Sequence, residues 1–232
     1  MLYDLHMHST ASDGSLAPRE LLSLARDNGV DALSITDHDT IDAYAAIRDA
    51  VPDGLTVIPG IELSTTWMNR GVHIVGLDID VDNDTLLAGI EQQTNARRQR
   101  AQRISERLAR KGIDCSLDAV RKIAGTGGIG RPHFARHLVD IGAVRDIGAA
   151  FRKYLGAGKI GDVRENWASL EDVVGWIRAS GGIAVLAHPA KYGMTTRKLC
   201  ALLDDFIAAG GQGIEVVSGR QDAATTRRIA GI

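Results

Sequence analysis

With 232 residues, 44% of them apolar, and a formal net charge of −2, the chain is long enough for one barrel-sized core or a smaller body carrying a large insertion. The near-neutral charge argues against a protein that coats nucleic acid or a membrane surface by bulk electrostatics, so any polyanion must be met by a local patch. Cys115 and Cys200 lie far apart without metal or redox spacing. No basic leader precedes Asp4 and no run approaches the roughly 20 apolar residues of a membrane span, which reads as a cytoplasmic chain with reduced thiols.

Short apolar runs alternate with helical patterns. Leu2–Leu5 reads as a first strand, followed by a helix over Pro18–Asn28 with proline at its start and Gly29 just past its end. Ala32–Ile35 is a second strand, Ile41–Val51 a helix, Leu55–Ile58 a third strand and Val72–Leu77 a fourth. Ile183–Ala187 and Ile214–Val217 read as two more, with helices before, between and after them. Such alternation predicts an α/β fold on a parallel sheet, open or closed into a barrel. From about Asp84 to Ala168 only helical periodicity and glycine-rich joints such as GTGGIG (Gly125–Gly130) are found. That span is too long for a loop, so residues 84–168 are expected to be a helical subdomain inserted into a body made of 1–83 and 169–232.

The ionisable residues fall on this scaffold in a pattern. His6 and His8 sit at i and i+2 at the end of strand one, so both side chains point to one face. Asp13 follows in the turn SDG. His38 ends strand two in SITDHDT, Glu62 follows strand three in VIPGIELS, His73 lies in strand four in GVHIVGLD, and His188 ends strand five in GGIAVLAHP. In a parallel α/β architecture the carboxyl ends of the strands open on one side, where the active site lies. That rule gathers His6, His8, Asp13, His38, Glu62, His73 and His188 at one mouth. Imidazoles and carboxylates without thiolate suit Mn²⁺, Fe²⁺ or Zn²⁺.

In this order, DLHMHSTASDG, ITDHDT, GIELS, the histidine of GVHIVG, and AHP resemble the PHP (polymerase and histidinol phosphatase) family of metallophosphoesterases. GRPHFARHLV and FRKYL narrow the likeness to its TrpH-like branch, with nucleoside 3′,5′-bisphosphate phosphatases and a 5′-to-3′ exoribonuclease. The resemblance implies a distorted (β/α)7 barrel with a helical insertion and up to three divalent ions, Mn²⁺ first among the choices. It implies that His6, His8 and Glu62 hold one ion, that Glu62 with His73 and His188 holds a second, and that Asp13 and His38 serve a third. It also implies a final strand ending in Gly-Ser-Asp-x-His. The sequence as given stops at Ile232 without it, which is read as a truncation or else as a variant with two open sites.

The implied activity is hydrolysis of a nucleotide phosphate ester by a metal-bridged hydroxide, without a side-chain nucleophile. Ser9 and Ser12 read as turn and supporting residues. Arg131 and His133, at a predicted helix start, are given a second phosphate or neighbouring nucleotide by the resemblance, against the plainer reading of a solvated arginine and a capping histidine. His137 reads as structural. The stretch Arg97–Lys111, with seven basic residues and one acid, is either an exposed helix face or a guide for an RNA strand. Trp67 either packs or stacks on a base. Asp4, Asp37, Asp39 and Glu215 are candidates to support the ligands. The substrate expected is a small nucleotide, most simply the 3′-phosphate of pAp, or alternatively short 5′-phosphorylated RNA, with no membrane and no obligate protein partner. A metal- or nucleotide-binding module without catalysis remains a separate class. A C–N hydrolase of the amidohydrolase type is disfavoured, because Lys191 is the only lysine near a strand end and lies in a loop.

Overall fold

The computed structural model describes residues 1–163 and 167–232. Residues 164–166 of the expected insertion lie outside the described residues. The N-terminal half alternates as the sequence suggests: β1 (Tyr3–Met7), α1 (Pro18–Asp27), β2 (Ala32–Ile35), α2 (Asp42–Ile47) and β3 (Thr56–Val57). These strands form a parallel sheet of order β1-β2-β3, with Tyr3 opposite Ala32 and Ala32 opposite Thr56. Leu33, Ile35, Leu22, Ile47 and Leu55 fill the core under α1 and α2.

The chain then departs from the expected parallel pattern. Glu62 follows the short β3 but lies inside a further strand, β4 (Gly60–Trp67), which turns back into β5 (Arg70–Leu77). The cause is a two-residue turn at Met68 and Asn69, both with positive φ (44° and 60°), the geometry that joins antiparallel strands tightly. β6 (Ile183–Leu186) pairs antiparallel with β5, and β7 (Gly213–Ile214) pairs parallel with β6. The fold is therefore α/β with one parallel and one mixed sheet, and no closed barrel forms among the described residues. An isolated backbone bridge links the two sheets. Asp39 N–H donates to the Glu62 carbonyl at 2.9 Å and Glu62 N–H to the Asp37 carbonyl at 3.2 Å, an isolated parallel bridge between His38 and Glu62.

Between β5 and β6 run α3 (Asp84–Ala109), α4 (Leu117–Ala124), α5 (Arg131–Asp140) and α6 (Ile147–Ala150), followed by a π-helical turn over Phe151–Leu155 and then α7 (Leu170–Ala179). Asn83, Ser116 and Asp146 cap α3, α4 and α6 with their side chains. α3 is the spine, about 39 Å long at 1.5 Å per residue. Its first turns pack Leu86 into the mixed-sheet core, with Ile61, Leu63 and Val174. Its last turns place Ala101, Ile104 and Leu108 in another core, with Phe134, Leu138 and Leu155. After β6, α8 (Thr196–Ala208) and α9 (Ala223–Ala230) complete the mixed-sheet layer. No described helix is long and apolar enough to cross a membrane.

α3 and α7 approach closely at Gly89, where an added Cβ would fall 2.4 Å from the Trp176 ring. Gly89→Ala is expected to cost about 1–3 kcal/mol by overpacking, read as a lowered urea midpoint at unchanged m-value.

Candidate metal centre

The donors come from several strands and the loops that follow them. His6 lies in β1 and His8 one residue past its end, after a register irregularity between Asp4 and Met7. His38 extends β2, Glu62 lies in β4 and His73 in β5. His188 follows β6 in a left-handed conformation (φ 31°), which aims its ring back at β4. Along β4, Ile61 and Leu63 enter the core while Glu62 and Ser64 take the opposite face, as strand alternation requires.

The structure brings the seven sequence-derived donors into one cluster: five histidines approach Glu62, which is fully buried, and Asp13 joins through His8 and His38. His6 Nε2, His8 Nε2 and Glu62 Oε2 stand 3.2–3.3 Å from one another. Glu62 Oε1 lies 3.0 Å from His73 Nδ1 and 2.7 Å from His188 Nε2, and those nitrogens are 3.3 Å apart. Asp13 Oδ2 is 3.7 Å from His38 Nε2, and Asp13 Oδ1 is 3.8 Å from His8 Nδ1. The same atoms also group as His6–Glu62–His188, His8–Asp13–His38 and His38–Glu62–His73.

The donor set fits divalent ions. Ligand atoms about 2.1 Å from one ion stand about 3.0–3.4 Å apart in octahedral or tetrahedral coordination, close to the spacings found here. Glu62 Oε2, His38 Nδ1 and His188 Nδ1 are buried and have no hydrogen-bond partner. His38 Nδ1 and Glu62 Oε2 approach to 2.9 Å without hydrogen-bond alignment, so both atoms face a shared point. Leaving buried polar atoms orphaned is costly unless a cation completes them.

Neighbouring groups fix the rings. Glu215 Oε1 lies 2.5 Å from His6 Nδ1, which holds the proton there and leaves Nε2 facing the cluster, while Glu215 Oε2 accepts from His188 N–H at 2.6 Å. Tyr192 Oη accepts from His73 N–H at 2.9 Å and donates to the Ala187 carbonyl at 2.8 Å. Asp37 accepts from Ser9 N–H, Ser9 Oγ and Ser12 Oγ, which shapes the loop bearing Asp13. Asp4 is exposed. Burial opposes charge on His6, but Glu215 and Glu62 outweigh it and push its pKa up to about 10. Burial would raise Glu62, yet the surrounding imidazoles hold its carboxyl well below the usual range.

The basic stretch on α3 follows neither expectation at its first residue. Arg97 is buried, pairs with Asp39 through Nε and Nη2, and lies over the Trp167 ring at 5.4 Å. Asp39, at φ 55°, also accepts from Ser64 N–H at 2.7 Å and Ser64 Oγ at 2.9 Å. The insertion is thus clamped to the residue after His38. Its second contact is the glycine-rich loop: a Cβ on Gly127 would lie 2.7 Å from the Ala11 carbonyl, and Arg136 donates to the Asp13 carbonyl at 3.2 Å.

Arg131 and His133 open α5 as the sequence suggests, but their groups are engaged locally. Arg131 donates to the Leu155 carbonyl at 3.3 Å and lies over Phe151. His133 Nδ1 accepts from Gly130 N–H at 2.9 Å. His137 bonds the Asp114 carbonyl at 2.9 Å, a structural role. Trp67 is buried and donates to Asp205 at 2.7 Å, which removes it from any base-stacking surface.

The PHP domain family model matches residues 4–124, and the chain belongs to that family. It is 46% identical over 229 residues to a 3′,5′-nucleoside bisphosphate phosphatase of Chromobacterium violaceum, covering 98% of this chain and 80% of that protein. It is 40% identical over 235 residues to the 5′-3′ exoribonuclease Rnm of Escherichia coli, covering 100% of this chain and 80% of that one. A solved structure from C. violaceum, described as an amidohydrolase with bound sulfate and no metal, superposes with a TM-score of 0.93 at 42% identity, over 99% of this chain and 82% of the other. A putative metal-dependent phosphoesterase of Bifidobacterium adolescentis gives 0.86 at 27% identity, over 99% and 82%.

Burial, helped by Arg136, Arg97 and Arg121, pushes the His133 pKa down to about 4 against the pull of Asp13. Folding therefore favours the neutral ring; the associated stability is complete above the ordinary value of 6.5 and is lost as pH falls toward 4. An NMR titration should find the His133 ring neutral from pH 8 down to 5.

Proposed function

We propose that the chain is a metal-dependent phosphoesterase acting on nucleotide phosphate esters, with the 3′-phosphate of nucleoside 3′,5′-bisphosphates such as pAp as its main target. The observation that carries this reading is a cluster of seven imidazole and carboxylate donors in which five histidines stand within 3.3 Å of the buried Glu62, at ligand-to-ligand spacings. His6, His8 and Glu62 would hold one divalent ion, Glu62, His73 and His188 a second, and Asp13 with His38 a third. Mn²⁺ is the first choice for an oxygen- and imidazole-rich set, with Fe²⁺ or Zn²⁺ as alternatives.

Such ions supply a nucleophile at neutral pH and neutralise the phosphoryl oxygens. The protein does the positioning. Glu215 keeps a proton on His6 Nδ1 so that Nε2 faces the substrate side. Tyr192 holds the His73 backbone and packs its ring edge-on against His188, which sits in a left-handed turn. The Ser9 and Ser12 hydroxyls are committed to Asp37 at 2.5 Å, so neither acts as a nucleophile. We assign substrate choice to residues 84–168, with Arg131 and His133 at the start of α5 as its candidates, and the donors to 1–83 and 169–232. Glu215, just past β7, reaches His6 in β1, which supports reading the two sheets as parts of one distorted (β/α)7 barrel.

The second reading, stepwise 5′-to-3′ hydrolysis of short 5′-phosphorylated RNA by the same site, is favoured by the full-length likeness to Rnm. Assays of pAp and a 5′-phosphorylated oligoribonucleotide with added Mn²⁺ separate the two. Phosphate release from pAp without oligonucleotide shortening selects the first, and the reverse pattern selects the second. No turnover of either would leave only a binding module.

Glu62→Ala and His8→Ala are each expected to lower kcat at least about 10²-fold on either substrate, with folding checked by circular dichroism. Glu215→Gln should weaken Mn²⁺ affinity about 10–100-fold in calorimetric titration, because the His6 ring loses its anionic partner.

A further inference from the structure

A cavity of about 310 Å³ opens where α3 and α4 face the loop after β2. Its body wall includes His38, Thr40 and Asp42; its insertion wall includes Arg98 of α3, Arg121 of α4 and Thr126. We propose that this cavity is a subsite for a single-stranded oligonucleotide, in which Arg98 and Arg121 grip the phosphodiester next to the scissile one. The inference deepens the phosphoesterase reading and rests on it.

Four observations carry it. His38 is both a wall of the cavity and one of the converging donors, so an occupant is continuous with the site where phosphate would react. The cavity's third arginine, Arg97, is neutralised by Asp39, which makes that wall rigid and polar rather than cationic. Arg98 and Arg121, by contrast, form no ion pair among the described residues. Arg121 uses Nη1 on the Gly127 carbonyl at 3.0 Å and keeps the rest of its fork free. Against these two cations stands one exposed carboxylate, Asp42, so the unpaired charge favours an anion.

Size and position limit the ligand further. The volume admits one nucleotide unit and excludes a duplex. Both arginines are exposed, so a strand would leave past them into solvent. Arg131, the residue suggested by sequence for a second phosphate, is absent from this wall and donates Nη1 to the Leu155 carbonyl. The cavity therefore offers a phosphate grip separate from the α5 start.

The test compares a nucleoside 3′,5′-bisphosphate with a 5′-phosphorylated trinucleotide in the wild-type chain, Arg98→Ala, Arg121→Ala and the double variant. The ratio of kcat/KM for trinucleotide over bisphosphate is expected to fall about tenfold per alanine substitution. In parallel, a phosphorothioate-linked trinucleotide carrying a fluorophore is titrated by anisotropy in EDTA. Its Kd should rise in the same variants, and the slope of log Kd on log salt should flatten by about 0.7 per lost phosphate contact. Arg98→Lys and Arg121→Lys should retain most of the binding.

An unchanged ratio with an unchanged salt slope overturns the subsite. Equal loss on both substrates with unchanged Kd overturns it too, since that pattern reports a structural effect. If the wild-type chain hydrolyses neither compound, the phosphoesterase reading fails, and the anisotropy arm still decides the subsite by itself.

Discussion

Everything in this molecule is arranged around one carboxylate that has no business being buried alone. Glu62 is inaccessible to solvent, and an ionised carboxylate without compensation would be prohibitively costly there. Its compensation comes from five imidazoles delivered by strands of both sheets, and its own backbone forms the bridge that ties those sheets together. Side-chain chemistry and sheet assembly are thereby coupled at one residue. A slip of β4 by one position would send Glu62 and Ser64 into the apolar layer and Ile61 and Leu63 into the donor cluster, so the register is fixed from both faces at once.

Support for this carboxylate extends outward in two directions. On one side Glu215 sets the His6 ring, and Tyr192 holds the His73 backbone. On the other, Asp39 takes a left-handed conformation that an aspartate adopts at some cost, and the cost is offset by Arg97 and Ser64. Arg97 belongs to the helix that also forms the core of the insertion, so the geometry beside His38 depends on a segment far away in sequence.

Much of the centre was legible because strand ends are marked by apolar runs and imidazoles are rare. Ala32–Ile35 was read with the bounds found, and all seven donors named from sequence meet around one point. The local structure at Glu62 departs from the expectation: it lies inside a strand, and GIELSTTW alternates apolar and polar residues as a strand does. The antiparallel hairpin lacks the usual glycine turn signal, because Met68 and Asn69 fill its two turn positions. The burial of Arg97 was not readable at all. Among seven basic residues on one stretch, only tertiary contact with Asp39 distinguishes it.

The contact between the glycine-rich loop and the Asp13 loop divides substitutions into two kinds. The helices from the later turns of α3 to the π-helical turn share their own apolar centre and meet the donor loops chiefly through Arg97, Arg136 and the bare backbone at Gly127. Mutations elsewhere on α4 and α5 can reshape the surface presented to a ligand while the donors stay in register. A side chain at Gly127 would instead push the Ala11 segment, and with it Asp13, out of place. A change at Gly127 therefore differs in kind from one on the outer faces of α4 and α5, because it presses directly on the loop bearing Asp13.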